Sequence, residues 1–510
     1  MPAPPARVAS PLATSGRTKL NELHLDSSIL RTHPTFFHTC RTPIHVNRLR
    51  SLLRAHPDQA FVKYVLHGLT YGFDIGFNGP RQTSMFSPNL PSARMHPDFI
   101  TKYLQECCSR FELLGPFSSS LFPFFHCSGV GCVPKKNGRF RLIHHLSSPE
   151  GQSVNDGISR EDFSLHYITI DHAIDAIMQY GRSAYLFKLD IRSAFRIVPV
   201  RQEDWPLLGI HWQNQYYFDT VLPFGLRSSP AIFNSIADCL EWIARYEFSI
   251  TDLLHYLDDF LCISPSELVA NQRASILLRC FNYVQVPLAP DKVEGPAQVL
   301  SFLGIELDCG RLEARLPDTK LQDLRTLLDQ YVNRGDMTQR ELDSLLGKLS
   351  FAARVIIPGR TFMRRLWDIC HRYSQPHYKI KLSVEALEDL KWWQRLLSQW
   401  NGKSFFHMPN WTPSPDIQLF TDASGSIGWG ACYGHRWIQG QWLPEQADYS
   451  IEWKEMFAIA AACSSWGLEW RKLRILVYCD NEAVVACLSN GCSRSPPSHG
   501  PDTTAVLHVR

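Results

Sequence analysis

The chain has 510 residues, 52 Lys+Arg against 49 Asp+Glu, 45% hydrophobic and 20% charged residues, and a net charge of +3. That length suits two to four domains of ordinary soluble composition. It excludes nucleic-acid binding through overall charge, so any basic surface must be local, and the apolar runs are too short for a membrane partner.

Residues 1–43 are rich in Pro, Ser, Thr and His and lack a period, so they are expected to be disordered. Met1 to Ser15 has no apolar core of a secretory signal. The 15 cysteines are scattered, odd in number and without a Cys-x-x-Cys pair, which predicts reduced thiols in an intracellular protein. Nucleus or cytoplasm is left open, as is oligomeric state.

A helical leader is expected over 44–115. Val46, Leu49, Leu52 and Leu53 follow helical spacing, then Phe61, Val62, Val65, Leu66 and Leu69, then Phe99, Ile100, Tyr103, Leu104, Cys107 and Phe111 from Pro97 to Gly115. Val130–Lys136 and Arg139–Ile143 flank Asn137-Gly138, a strong hairpin signal. A two-residue turn sets Lys136 opposite Arg139 and puts Lys136, Arg139 and Arg141 on one face. Three like charges there suit a triphosphate, or else a solvated basic edge that blocks strand pairing.

A helix is expected from Ile170 with Asp171 as N-cap. Ala184–Asp190 reads as a buried strand ending in an acid, either a turn residue or an oxygen ligand. Leu207–Trp212 and Tyr216–Thr220 are two short strands, and Ser229-Pro230 opens a helix as cap and first-turn proline. In Leu253–Ile263, two apolar runs flank Asp258-Asp259. Two acids between buried strands are costly unless compensated, and hard carboxylate oxygens suit Mg²⁺; a solvated hairpin turn is the bland alternative. Glu267–Val284 reads as a helix, Leu288–Lys292 as a loop, and Val299–Leu307 as a hairpin about Gly304.

Four stretches now stand in order: Lys188-Leu189-Asp190-Ile191-Arg192-Ser193-Ala194-Phe195, Leu222-Pro223-Phe224-Gly225 with Ser229–Phe233, Tyr256-Leu257-Asp258-Asp259, and Ser301-Phe302-Leu303-Gly304-Ile305. The set strongly resembles the palm of a reverse transcriptase, over roughly residues 44–492, and specifically that of the retrotransposons encoding a tyrosine recombinase, the DIRS-like elements. The resemblance implies an α+β right-hand polymerase, with fingers and palm at 116–310 and a helical thumb and connection at 311–412. It implies Asp190, Asp258 and Asp259 as metal-binding catalytic acids and Lys292 as the lysine that protonates pyrophosphate. It implies Lys136 and Arg141 as triphosphate contacts, with Lys135 competing for the lysine role, and Phe195 as a gate against the 2′-hydroxyl. Phe224 and Gly225 belong to its substrate-binding motif, and Phe302-Leu303-Gly304 to its primer grip. The cofactor is Mg²⁺, two per active site, or Mn²⁺; the partners are an RNA template, a DNA primer, dNTPs and the RNA–DNA hybrid.

Farther on, Asp318–Val332 reads as a helix, and Thr338 with Glu341 as a capping box. Lys348, Arg354, Arg360, Arg364, Arg365 and Arg372 stand against Asp368 alone, either a phosphate-tracking surface or a solvated face. Trp392, Trp393 and Trp400 are expected in the core of a helix over Ser383–Trp400, and Pro409, Pro413 and Pro415 mark a linker. At 413–492 an acid at a strand end (Asp422), one on a helix (Glu455) and one at a later strand end (Asp480) again suit two Mg²⁺. The pattern resembles an RNase H-like α/β domain with those three as ligands; Glu452 fits the pattern less well than Glu455. The family's fourth acid has no counterpart in register: after Glu482 the remaining acid is Asp502, in a 493–510 tail expected to be disordered. The expectation is therefore an incomplete nuclease domain. The two functional readings are an RNA-directed DNA polymerase with an RNA–DNA hybrid endonuclease of weakened activity, and a catalytically inactive relic that binds nucleic acid.

Overall fold

The computed structural model describes residues 41–134, 138, 140–373, 375–399, 403–405, 418–470 and 475–490. Most of the 1–43 segment, Lys135, Lys136, Asn137, Arg139, Trp400, the three linker prolines and the 493–510 tail lie outside these residues. The chain divides into two compact units, Met1–Ala176 with Ser183–Leu300 and Ile177–Arg182 with Ser301–Arg510.

In the first unit, Asp58 caps the helix Gln59–Tyr71 by accepting from Phe61 N at 2.8 Å. That helix and Val46–Leu52 bury Leu49, Val62, Val65 and Leu69, in one core with Phe233, Ile236, Leu240 and Ile243 of the helix Ser229–Tyr246. Each such side chain contributes about 1.5–3 kcal/mol by leaving water. The leader is thus a structural buttress of the unit.

The strands β1 (Met85–Phe86), β2 (Leu113–Phe117), β3 (His126–Cys127), β7 (Gly209–Trp212) and β8 (Gln215–Asp219) form one sheet in the order β1-β3-β7-β8-β2. The strands β4 (Val130–Pro134) and β5 (Phe140–His144) form a separate ribbon. The strands β6 (Tyr185–Asp190), β9 (Leu253–Tyr256), β10 (Asp259–Ser264) and β11 (Glu294–Ala297) form a second sheet, ordered β11-β6-β10-β9.

Local expectations shift at four places. The β4–β5 ribbon pairs Val133 with Arg141 and Pro134 with Phe140, one residue off the register a two-residue Asn137-Gly138 turn requires. A one-residue slip of register exchanges the two faces of a strand. Ser228 rather than Ser229 stands at the N-cap position of the helix Ser229–Tyr246, without a side-chain capping bond, and the buried Ser229 hydroxyl donates to Pro223 O at 3.0 Å. Asp171 lies inside the helix Ile170–Tyr180, and Thr169 meets His172 Nδ1 through its N–H and hydroxyl, at 3.1 and 3.0 Å. The helix from Pro97 stops at Ser109, and Gly115 lies in β2, not at a helix end.

In the second unit, β12 (Val299–Phe302), β13 (Ile305–Asp308), β14 (Glu313–Arg315) and β17 (Lys403–Phe405) form a sheet, and β15 (Asp336–Thr338) pairs with β16 (Lys379–Lys381). The capping box forms: Thr338 Oγ1 accepts from Glu341 N at 3.2 Å and Glu341 Oε2 accepts from Thr338 N at 2.7 Å. Trp393 is fully buried and Trp392 stacks on Phe362 at 3.9 Å, so both serve packing. Lys348, Arg354, Arg360 and Arg372 are exposed, while Arg365 reaches Asp389 at 3.5 Å.

The last sheet has β18 (Gln418–Ala423), β19 (Gly428–Tyr433), β20 (Arg436–Gln441) and β21 (Leu476–Tyr478) in the order β20-β19-β18-β21, with β21 parallel to β18. Leu419, Ala431, Ile459, Ala462 and Trp466 join it to the helix Ile451–Trp466. A parallel pair beside antiparallel neighbours, with a helix in the crossover, is an α/β arrangement.

Candidate active site

Asp190 ends β6 and Asp259 begins β10, and the antiparallel register sets these two residues opposite each other. Asp258 is not in a strand. Tyr256 pairs with Asp259, which leaves Leu257-Asp258 as a two-residue turn. Leu257 sits at φ +54°, a costly conformation for a branched L side chain. Ile191 N donates to Asp258 O at 3.0 Å, which ties the turn to the end of β6.

Asp190 is 3% exposed. Lys292 Nζ donates to its Oδ2 at 2.6 Å. Burial pushes the Asp259 carboxyl up to about 7, helped by a hydrogen bond with Asp190 and by the charges of Asp190 and Asp258. Burial and the Asp190 charge also raise Asp258, while Lys292 and Arg141 oppose the rise. Burial pulls Lys292 down, but its bond to Asp190 and the three acids together hold it above the usual lysine range. Like charges crowded in a half-dry site shift this way until a cation offsets them. The hard carboxylate donors fit Mg²⁺.

Arg141 is exposed on β5, with its guanidinium 5.5 Å from the Phe224 ring centroid. Phe224 lies 5.1 Å from Phe195, and Phe195 lies 5.9 Å from Phe233. Arg141, Phe224 and Phe195 therefore form a continuous wall, and Phe195 is both a packing residue and a member of that wall. Gly225 has φ +112°, and a Cβ there would collide with His144 O. Lys136 lies outside the described residues.

The expected primer-grip residues behave unequally. Phe302 is 1% exposed, so its ring is a core residue; the surface is made by the Leu303-Gly304 turn, with both residues at positive φ. Lys320 Nζ donates to Gly304 O at 3.0 Å.

In the last sheet, Glu455 is 3% exposed, and its Oε1 accepts from Ala423 N at 3.1 Å. Burial raises its carboxyl, with Asp422 and Asp480 adding to the effect. Lys454 anchors the adjoining loops, donating to Ala447 O at 2.7 Å and to Gly425 O. Among the described residues, one set of three metal-ligand atoms lies mutually within 4.8 Å, and it joins Glu455, Cys479 and Asp480. Asp422, which is exposed, lies outside that set, and so do the three acids around Lys292, which are buried or half-buried. Cys479 was missed in the sequence because strand alternation assigns it to the face opposite Asp480.

Residues 133–307 match the family model of the reverse transcriptase (RNA-dependent DNA polymerase). The chain carries a reverse transcriptase domain. That domain holds Asp190, Asp258, Asp259, Lys292 and the Arg141–Phe224–Phe195 wall; Asp422, Glu455 and Asp480 lie beyond it. Over 323 residues, 61% of this chain, the sequence is 22% identical to the Gag-Pro-Pol polyprotein of Human T-cell leukemia virus 2. It is 23% identical over 361 residues, 68% of this chain, to the Enzymatic polyprotein of Cauliflower mosaic virus (strain D/H). The chain spans 20% of the first polyprotein and 49% of the second. In fold, it is similar to the foamy viral protease-reverse transcriptase in complex with dsDNA, with a TM-score of 0.50 at 15% identity, over 91% of this chain and 94% of that one. The same foamy viral protein with an RNA/DNA hybrid gives a TM-score of 0.50 at 14% identity, over 91% of this chain and 61% of that chain.

Proposed function

We propose that this chain is an RNA-directed DNA polymerase of a DIRS-like retroelement, acting within the cell, with an attached RNA–DNA hybrid ribonuclease domain. The observation that carries the reading is the β6–β10 register, which sets Asp190 opposite Asp259 with Asp258 in the adjoining turn. Fingers and palm occupy 116–310 and the thumb 311–412.

Asp190, Asp258 and Asp259 would hold the Mg²⁺ pair. When bound, the ions supply Lewis-acid charge at the primer hydroxyl and at the leaving pyrophosphate. The chain's own residues do the rest. Arg141 binds the triphosphate, and Phe195 with Phe224 walls the sugar so that a 2′-hydroxyl clashes. The bond between primer O3′ and the α-phosphorus forms as O3′ loses its proton to water and the α–β bond breaks, and Lys292 gives its proton to the departing pyrophosphate. The Leu303-Gly304 turn is the proposed primer contact.

The partners are an RNA template, a DNA primer, dNTPs and the hybrid product. The foamy viral protein whose fold is similar was solved with dsDNA and with an RNA/DNA hybrid, which supports this choice. For the nuclease, Glu455, Asp480 and Asp422 are the proposed ligands.

The test is primer extension on poly(rA)/oligo(dT) with Mg²⁺ and dTTP. Extension that falls about 10³-fold or more in Asp258→Asn supports the reading. No extension by the wild type, or equal extension by the variant, sinks it in favour of a nucleic-acid-binding relic. Robust hybrid cleavage unaffected by Asp422→Asn would refute the nuclease assignment.

A further inference from the structure

The 3₁₀ turn Val154–Gly157 after β5 carries a buried amide that none of the motifs includes. Asn155 is 4% exposed. Its Nδ2 donates to Gly225 O at 2.8 Å and to Ser147 Oγ at 2.8 Å. Its Oδ1 accepts from Arg227 N at 2.8 Å. Arg227 answers with its guanidinium, which donates to Asn155 O and, at 2.7 Å, to Ile158 O. On the other side of the turn, His144 N donates to Phe224 O at 3.4 Å. The segment 224–227 is therefore held at both ends by the 144–158 stretch.

An asparagine amide has two N–H donors and an acceptor oxygen, and here both donors and the oxygen are engaged. The segment needs such a clamp. Gly225 has a left-handed φ of +112° and no side chain to anchor it, and its neighbour Phe224 is only half-buried. What the clamp fixes is the height of the Phe224 ring, which meets Arg141 at 5.5 Å and Phe195 at 5.1 Å. A shift of the turn would move the ring out of line with both.

We propose that Asn155, together with Arg227, is a positioning residue of the nucleotide pocket: it presets the Phe224-Gly225 turn so that the sugar wall exists before dNTP arrives. The proposal rests on the polymerase reading above. Pre-organisation of this kind shows in substrate affinity, since the ordering cost is otherwise charged to binding.

The test uses the full chain and two variants. Asn155→Asp keeps size and the acceptor but removes both donors, and Asn155→Ser removes the reach. Hydrogen exchange of the 222–228 amides reads the clamp directly, whether or not the chain polymerises. Primer extension against dTTP concentration reads the pocket. The expected result is faster exchange confined to 222–228, KM for dTTP raised about tenfold and kcat changed less than about threefold. A purely structural residue would instead lower the folded fraction and kcat together and leave KM alone. Unchanged exchange in a folded variant overturns the clamp. Faster exchange with unchanged KM overturns the positioning role. A wild type that fails to extend overturns the polymerase reading and with it the nucleotide role, and the exchange data still show whether Asn155 holds the turn.

Discussion

Lys292 Nζ lies 2.6 Å from Asp190 Oδ2, so an ammonium on the 3₁₀ turn Pro290–Lys292 holds the buried acid that ends β6. The same ammonium is raised by Asp258 and Asp259, which makes it the internal counter-charge of the acidic triad. A divalent ion drawn to Asp190 must displace it or share the carboxylate. Lys292→Met therefore has two opposed consequences. The Mg²⁺ concentration giving half-maximal extension falls several-fold, because the competing cation is gone. The maximal rate falls about 10²-fold, the usual size of a lost general acid. A Mg²⁺ titration of primer extension separates the two, and an unchanged or increased Mg²⁺ requirement would refute the counter-charge role.

Phe195 stands 5.1 Å from Phe224 and 5.9 Å from Phe233. Phe195→Ala opens the wall on the sugar side. Discrimination between dTTP and rUTP is expected to drop by about tenfold or more, the scale of a steric pocket contact. Unchanged selectivity in a folded variant would assign Phe195 to packing alone.

Gly225→Ala puts a methyl where His144 O lies, at a φ of +112° that L residues rarely adopt. Both effects act on the same turn. A loss of about 2 kcal/mol or more in stability is expected from the strain. Urea unfolding reads it, and a variant as stable as the wild type would show that the turn yields easily.

The capping box gives a pH dependence whose sign follows from Glu341. Its hydrogen bond with Arg334, and then that with Thr338 N, lowers its carboxyl from 4.5 to about 2. An acid whose folded value is depressed adds stability above its unfolded value, and that stability is lost as pH falls from about 4.5 through about 2. The contribution is about 1 kcal/mol after allowing for its partial exposure. Glu341→Gln should flatten the dependence of the unfolding midpoint on pH in that window. A variant with the wild-type slope would place the titrating group elsewhere.

The strands bearing Asp190 and Asp259 were legible because long apolar runs bounded by polar residues admit few alternatives, and the Thr338–Glu341 box because its two bonds lie within one turn. The register of β4–β5 was not, since Asn137-Gly138 marks a turn without fixing its length. Asn155 escaped notice for a different reason. An isolated asparagine in a single 3₁₀ turn carries no period, and its partners Gly225 and Arg227 are 70 and 72 residues away. Cys479 likewise joins Glu455 and Asp480 through a bend after β21 that strand alternation does not anticipate.

The Leu257-Asp258 turn has the shortest length that closes an antiparallel pair, and both of its flanks are pinned, Tyr256 to Asp259 across the hairpin and Asp258 O to Ile191. It has no slack. One inserted residue would add about 3.8 Å of backbone and reverse the side on which the following carboxylate emerges. Length variation should thus be barred from this hairpin.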